Sequence, residues 1–294
     1  CLGYLEMRKL IPKNYDEKEF DSLTNEKSRI KADIVNIKKR FQDFEVNKYK
    51  LENLKQQYIK PKKCKNVDDL GCDLHNLYDS KSQDTVNFKE QIREISRRKC
   101  PYCSIGKESS HLDHFLPRAK FPEFSIYSPN LIYVCSICNS TYKGDDVVNS
   151  LGERKFFNPY FDNFINDIVF LKCDIIVDND IYPEFIFSID DSLESSHLYQ
   201  YTIIKNHFNN LDLATRYEEQ INSHIFARFK EEYIIDETLE FEDITLEELK
   251  LDIDSKIRSL RRENDNYWEK VFWKSLKNSD ECLNLIVNKE IPIN

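Results

Sequence analysis

Glycine and methionine are scarce in this chain, which has 5 glycines and 1 methionine among its 294 residues. None of the glycines falls in the spacing Gly-x-x-x-x-Gly-Lys-Ser/Thr, so the sequence carries no phosphate-binding loop of that type. It also lacks any run close to the roughly 18 to 20 apolar residues that a membrane-spanning helix needs. We therefore expect no membrane association, and any nucleotide-driven control must come from a second protein.

Positive charge is not in excess either, because the formal net charge is −9. Phosphate binding draws on clustered Lys and Arg, so this balance argues against a protein that coats nucleic acid through its overall field. Local basic clusters occur at Lys60 to Lys65, Arg97 to Lys99 and Arg258 to Arg262. Each is either a local phosphate contact or an ordinary solvated surface.

The apolar pattern predicts an α+β chain that is predominantly helical. Apolar positions recur in steps of three and four from Phe20 to Tyr58, which predicts a long amphipathic helix over about residues 16–60 that Pro61 ends. This helix either packs along its own domain or docks a partner. A loop with Gly71 then leads to a second helix over Val86 to Arg97.

The C-terminal half predicts a β-hairpin followed by helices. Ile168 to Val177 and Ile181 to Ile189 are rich in Ile, Val and Phe around a polar tip, which favours two paired strands. Thr215 is the predicted cap of one later helix. Thr245 and Glu248 have the capping-box spacing of another.

Four of the nine cysteines form two Cys-x-x-Cys pairs, Cys100 with Cys103 and Cys135 with Cys138. In a large chain without a recognised secretory signal, this pattern indicates metal ligation in a reducing cytoplasm. Four thiolates suit tetrahedral zinc and leave no open coordination position, so we predict one structural Zn²⁺ per chain. The alternative is four buried cysteines without a metal.

Side chains that suit hydrolytic chemistry lie between and just after these pairs. Oxygen ligands from Asp113 and Asn139 suit Mg²⁺ or Mn²⁺. Histidine titrates near neutral pH, so His114 can take a proton from water if a carbonyl or amide orients its other nitrogen. Asp113 and His114 point to opposite faces of an extended strand, so a twist or bulge is needed for both to serve one site.

The segment from Cys100 to Asp145 resembles the HNH endonuclease family, in which an Asp-His pair, a central Asn and a terminal Asn on a short helix occur in this order. The resemblance implies a ββα-metal finger that hydrolyses phosphodiester bonds, stapled here by the four-cysteine zinc site. It implies that Asp113 and Asn139 bind the catalytic Mg²⁺ or Mn²⁺, that His114 is the general base, and that Asn130 braces the facing loop.

Four further residues are candidate phosphate contacts, namely Lys143, Arg118, Lys120 and His111. Lys143 can instead cap the end of the short helix before Gly144. His111 can be an ordinary strand histidine, or it can touch the metal. Arg118 and Lys120 can be exposed loop charges.

Additional runs resemble one bacterial subgroup of this family, the PtuB effectors of Septu-type anti-phage defence systems, including retron-linked ones. These runs are Leu112 to Phe124, Asn158 to Asp162, Leu211 to Leu213 and Arg216-Tyr217. The resemblance implies a cytoplasmic bacterial nuclease that cuts DNA or tRNA and is gated by an ATPase partner of the SMC or ABC type, similar to PtuA. The alternatives are a stand-alone or restriction-type HNH nuclease and a zinc-stapled nucleic-acid-binding adaptor without cleavage.

These patterns divide the chain into three predicted regions. Residues 1–90 form an N-terminal helical region, residues 91–160 form the HNH module with its zinc site, and residues 161–294 form the C-terminal hairpin and helical region.

Overall fold

The structure is a computed structural model that describes residues 70–95, 99–106, 110–177, 182–234, 244–288 and 290–291. The predicted long helix over Phe20 to Tyr58 and the basic cluster at Lys60 to Lys65 lie outside these ranges. Contacts divide the chain into two compact units, and the described residues up to Asn163 belong to the first unit while those from Phe164 belong to the second. The three regions drawn from the sequence stay a prediction.

Two helices precede the hairpin of the first unit, α1 at Leu70–Tyr78 and α2 at Gln83–Ile95. The predicted second helix is thus confirmed over its described residues. Gly71 lies in α1, so the loop predicted there is wrong. Gly71 is only the second residue of the helix, and burial of Leu74 and Leu77 favours the helical conformation. Cys72 on the same helix is buried and disulfide-bonded, which the sequence analysis did not predict.

The hairpin pairs β1, Ser110–His114, with β2, Leu131–Cys135, in antiparallel and unbroken register, so that His114 lies opposite Leu131. Residues 115–130 connect the strands through two short 3-10 turns, Pro122–Phe124 and Ser128–Asn130. A π-helix, Ile137–Lys143, follows β2 almost at once. Helix α1 packs against the first 3-10 turn and α2 packs against β2, so both helices support the hairpin.

The second unit is built around the predicted C-terminal hairpin, which is confirmed as β3, Leu171–Ile176, antiparallel to β4, Glu184–Ile189. A π-helical turn, Ile221–Ile225, joins the helix Leu213–Gln220 to the helix Phe226–Ile234, so that the three segments are continuous. The α-helices are α3 at Phe164–Asp167, α4 at Leu193–Ser196, α5 at Leu198–Asn210, α6 at Leu213–Gln220, α7 at Phe226–Ile234, α8 at Leu246–Ser259, α9 at Trp268–Lys277 and α10 at Asp280–Val287.

Two helix starts in the second unit test the predicted caps. The side chain of Thr245 accepts a hydrogen bond from the N–H of Glu248, and the Glu248 side chain accepts one from the N–H of Thr245, so the capping box of α8 is confirmed. The prediction for Thr215 is wrong, because this residue lies inside α6. Asp212 occupies the N-cap position at φ 50°, and Thr215 Oγ1 donates to Asp212 Oδ1 at 2.9 Å.

The described part of the chain is therefore an α+β fold that is predominantly helical, with two small antiparallel sheets, as the sequence predicts. Within these same residues, none of the helices combines the length and the apolar character that crossing a membrane requires.

Candidate functional site

Four cysteines meet at one end of the first hairpin. Cys100 and Cys103 precede β1, Cys135 ends β2, and Cys138 lies in the first turn of the π-helix. Their Sγ atoms all lie within 4.8 Å of one another, and all four side chains are buried. The Sγ atoms of Cys103 and Cys135 are 3.9 Å apart, close to the roughly 3.8 Å edge of a tetrahedron with Zn–S bonds of about 2.3 Å. The cluster can therefore hold a metal ion such as zinc.

The four cysteine side chains shift one another's pKa values. Burial raises the pKa of the Cys103 thiol well above its ordinary value. Hydrogen bonds from the other three cysteines, that from Cys100 first, lower the pKa of Cys135. Four thiolates packed together would repel one another, so a bound cation is needed to keep all of them deprotonated. The donor set fits a closed, structural zinc site.

Asp113 lies on the face of β1 that is turned toward the π-helix. Its Oδ1 accepts a hydrogen bond from Lys143 Nζ at 2.8 Å, and its Oδ2 accepts one from the Tyr102 hydroxyl at 2.8 Å. The side chains of Lys143 and Asp113 are 0% and 4% exposed. Lys143 Nζ also donates to the carbonyl of His114 at 3.0 Å. This internal ion pair ties the first cysteine pair, β1 and the end of the π-helix together.

The pairing changes two expectations from the sequence. Asp113, the expected metal ligand, has both carboxylate oxygens bound to protein groups. We expected Lys143 to touch phosphate or to cap the helix before Gly144. Its side chain is buried instead, and its ammonium group donates hydrogen bonds to Asp113 Oδ1 and to the carbonyl of His114. The physical reason is that a buried carboxylate is stable only when a charge and hydrogen bonds compensate it.

His114 ends β1 and contacts a different set of residues. Its Nε2 lies 3.0 Å from the carbonyl oxygen of Ser125 in the connection between the strands. Its ring meets Tyr78 of α1 edge to face, with centroids 4.5 Å apart. Burial lowers the pKa of His114 to about 3, although the bond to Ser125 opposes this. A carbonyl can only accept, so the neutral ring carries its proton on Nε2 and presents Nδ1 as the basic nitrogen.

Asn130 is fully buried and fastens the connection between the two strands. Its Oδ1 accepts the N–H of Leu116 at 2.7 Å, and its Nδ2 donates to the carbonyls of Leu116 at 3.1 Å and Phe124 at 3.2 Å. Phe124 precedes Ser125, so the amide holds the segment whose carbonyl orients His114. This position agrees with the bracing role that the HNH resemblance implies.

Asn139 on the π-helix meets His111 on β1, with Nδ2 and Nδ1 3.2 Å apart, and Ser140 Oγ lies 3.3 Å from the same nitrogen. His111 is exposed and Asn139 is half-buried. Asn139 and Asp113 thus lie on the same side of β1 but bond to different partners. The unbroken register of β1 leaves His114 on the opposite side, so the expected twist or bulge is not found in this strand.

The remaining predicted contacts are surface ion pairs. Arg118 donates to Asp79 at 2.6 Å, and Lys120 donates to Asp146 at 2.8 Å. Three contributors escaped the sequence analysis, namely Tyr102, Ser125 and Tyr78. Tyr102 carried a signal, since it lies between the two cysteines of the first pair. Ser125 acts through its backbone carbonyl, so its residue type gives no signal for this contact.

Buried polar side chains between residues 154 and 162 support β2. The hydroxyl of Tyr160 donates to the carbonyl of Leu131 at 2.9 Å. Asp162 pairs with Arg154 and accepts the N–H of Asn158, and all three side chains are buried. The segment Asn158 to Asp162 therefore helps to hold the strand that carries Cys135.

Fold and site define an α+β protein with a cluster of four buried cysteines, able to hold a metal ion, on a strand–loop–strand–helix element. The chain is similar to Protein ea31 of Escherichia phage lambda, with 26% identity over 236 residues that cover 71% of this chain and 72% of that protein. No protein-family model and no solved structure matches the chain. The printed name of the phage protein states no activity, so the function is argued from the site.

Proposed function

We propose that this protein is a metal-dependent HNH-type endonuclease that hydrolyses phosphodiester bonds in nucleic acid. The observation that carries the proposal is the environment of His114, a neutral imidazole held by the carbonyl of Ser125 in a loop that Asn130 braces. The imidazole is oriented and unprotonated, as a general base requires, although burial holds its pKa at about 3, below the range near the working pH in which proton transfer is most efficient. The strands, the short helix and the two cysteine pairs follow one another along the chain in the order that the HNH resemblance implies.

In the proposed reaction, His114 Nδ1 takes a proton from a water molecule while the water oxygen forms a bond to phosphorus. The bond from phosphorus to one sugar oxygen breaks, and the leaving oxygen takes up a proton from solvent. A bound Mg²⁺ or Mn²⁺ would supply stabilisation of the charge that develops on the phosphate. The amide oxygen of Asn139 is a donor for that cation, but Asn139 lies on the opposite side of β1 from His114, so both can act on one phosphate only after β1 twists. Asp113 can join only by exchanging Lys143 and Tyr102 for the cation.

A second candidate function is a zinc-stapled nucleic-acid-binding adaptor that does not cleave. The pairing of Asp113 favours it, because both oxygens that a catalytic cation would need are bound by Lys143 and Tyr102. The adaptor accounts for the cysteines and for this pair. It gives no role to the oriented imidazole of His114, so the nuclease remains the better supported function.

The test is cleavage of duplex DNA, single-stranded DNA and tRNA by the purified full chain with Mg²⁺ or Mn²⁺. We expect His114→Ala to lower the rate by about 10²- to 10⁴-fold, the usual contribution of a general base, while zinc content stays unchanged. His197→Ala is the matched control, since His197 is an exposed histidine of the second unit. Equal cleavage by His114→Ala contradicts the proposal. Binding without cleavage by the wild-type chain favours the adaptor.

We further propose that the nuclease is the effector of an anti-phage defence system in the bacterial cytoplasm, gated by an SMC- or ABC-type ATPase similar to PtuA and in some systems linked to a retron. The support is the resemblance of the runs Leu112 to Phe124 and Asn158 to Asp162, with the lack of a phosphate-binding loop in this sequence. Purification from the native operon tests this. A co-purifying ATPase supports it, and a solitary active nuclease supports the stand-alone or restriction-type alternative.

A further inference from the structure

Helix α1 places an aromatic ring against His114, and two cations, one from α2 and one from the connection between the strands, lie close to that ring. Tyr78, the last residue of α1, contacts the His114 ring at a centroid distance of 4.5 Å. Lys89 of α2 places its Nζ 4.0 Å from the centroid of the Tyr78 ring, and Arg118 places its Cζ 5.1 Å from the same centroid. We refer to Tyr78, Lys89 and Arg118 as the Tyr78 cluster.

Lys89 is a half-buried ammonium group that has no carboxylate within ion-pair distance among the described residues. Burial lowers its pKa first, and the nearby charges of Arg93 and Arg118 lower it further, while Asp79 acts in the opposite direction. The aromatic face of Tyr78 attracts the cation but gives it no hydrogen-bond acceptor of the strength of an oxyanion. The position therefore favours an added anion.

Arg118 has a partner that can be exchanged. Its guanidinium pairs with Asp79 at 2.6 Å, and the two side chains are 35% and 52% exposed. An ion pair that is this exposed contributes little to stability, so a phosphate oxygen can replace the carboxylate at small cost. Arg118 also follows His114 by only four residues, which keeps its guanidinium on the same stretch of chain as the imidazole.

We propose that Lys89 and Arg118, held at the ring of Tyr78, bind a backbone phosphate of the nucleic-acid substrate beside His114. The inference rests on the proposed nuclease function and specifies how that site holds its substrate. Recognition through phosphates alone is independent of sequence. The bound phosphate neighbours the scissile one, because the ring that carries the two cations also contacts the imidazole.

The competing explanation is that Lys89 only covers the Tyr78 ring with its aliphatic stem and keeps its ammonium in water. In that case Lys89→Gln changes stability and leaves binding unchanged. The chain offers a matched control in Lys81, an exposed lysine that precedes α2. Asp79→Asn should have the opposite effect on binding, because it removes the carboxylate that competes with phosphate for Arg118.

The experiment measures binding of a labelled 20-nucleotide duplex and the corresponding single strand to the full chain by fluorescence anisotropy, without added Mg²⁺ or Mn²⁺, over a series of salt concentrations. We expect Lys89→Gln to weaken binding about fivefold and to lower the slope of log K against log salt by about 0.7 to 0.9, the value for one phosphate contact. Lys89→Arg retains the slope, Asp79→Asn tightens binding, and Lys81→Gln changes neither quantity. Thermal unfolding of each variant checks that the fold is kept.

Equal affinity and slope for Lys89→Gln and Lys81→Gln would overturn the inference, as would a wild-type chain that does not bind either oligonucleotide. Cleavage assays on the same variants separate this outcome from failure of the nuclease proposal. If the chain cuts nucleic acid and both lysine variants cut with the same KM, the phosphate subsite is wrong and the nuclease stands. If binding depends on Lys89 but nothing is cut with Mg²⁺ or Mn²⁺, the subsite stands and the nuclease is wrong.

Discussion

The hairpins β1–β2 and β3–β4 share an antiparallel topology, yet different forces support them. Around β1–β2 the buried groups include Asp113, Lys143 and Asn130 together with four cysteines. Around β3–β4 the support is aromatic, since Phe185 contacts Phe226 and Phe272 at centroid distances of 4.9 and 5.2 Å.

The difference indicates where function resides. An aromatic core stabilises a hairpin without directional constraints, because apolar burial is non-directional. Buried polar groups are costly unless each one finds its partner, so a chain retains them where they position something. In the first hairpin the positioned group is His114. The second hairpin has a buried amide as well, Asn266, whose Oδ1 accepts the N–H groups of Phe170 and Leu171 and whose Nδ2 donates to the carbonyl of Ile168, but this amide holds backbone groups and no ionisable side chain.

The largest expected effect follows from the cysteine cluster. Cys135→Ser should lose the metal and unfold the β1–β2 hairpin, because structural zinc contributes on the order of 10 kcal/mol to small metal-bound folds. Zinc per chain by mass spectrometry and amide hydrogen exchange of the two hairpins measure this. Cys173→Ser is the control, since Cys173 is a buried cysteine on β3 outside the cluster. Full zinc content in Cys135→Ser would show that this cysteine is not a ligand.

The aromatic support of the other hairpin gives the next largest effect. Phe185→Ala should destabilise the second unit by about 3–5 kcal/mol, the usual cost of removing a buried phenyl ring, while zinc content stays unchanged. The control is Ile186→Ala, the next residue along β4, whose side chain is 43% exposed. Urea unfolding with hydrogen exchange reports both. Loss of zinc in Phe185→Ala would mean that the two hairpins do not unfold independently.

The third largest effect is expected from the buried ion pair of the first hairpin. Lys143→Met should cost about 3 kcal/mol, the lower end for a broken buried pair, because Tyr102 still donates to the stranded carboxylate of Asp113. Adding Asp113→Asn to this variant should recover part of the loss. A double-mutant cycle in urea measures the coupling. Additive costs would show that the two groups do not depend on each other.

Features of the fold could be predicted from the sequence where the residues that determine them lie close together along the chain. The spacing of Cys100, Cys103, Cys135 and Cys138 predicted the cluster, because two short pairs fix their own geometry. Enrichment in Ile, Val and Phe on both sides of a polar tip predicted the β3–β4 hairpin, and this pattern is also local. Thr215 failed as a cap because the turn at Asp212 starts the helix earlier than the local pattern suggests.

The arrangement of the site could be predicted only in part. Strand alternation correctly placed Asp113 and His114 on opposite faces, whereas the twist or bulge that we expected to bring both into one site is not found in β1. The partner of Asp113 is Lys143, 30 positions further along the chain. The partner of His114 is a backbone carbonyl at Ser125. Neither contact has a sequence pattern, because packing of the connection and of the π-helix creates both.

The smallest expected effect sharpens the comparison most directly. Lys172 on β3 pairs with Asp190 at 2.8 Å, the same nitrogen–oxygen distance as in the pair of Lys143 with Asp113, but its side chain is 53% exposed. Lys172→Met should therefore cost less than about 1 kcal/mol, and roughly 1 M NaCl should abolish even that difference. The cost of Lys143→Met should persist at the same salt concentration, since water and ions do not reach the buried pair. Similar costs and salt responses for the two variants, measured by urea unfolding, would mean that burial does not separate the two hairpins.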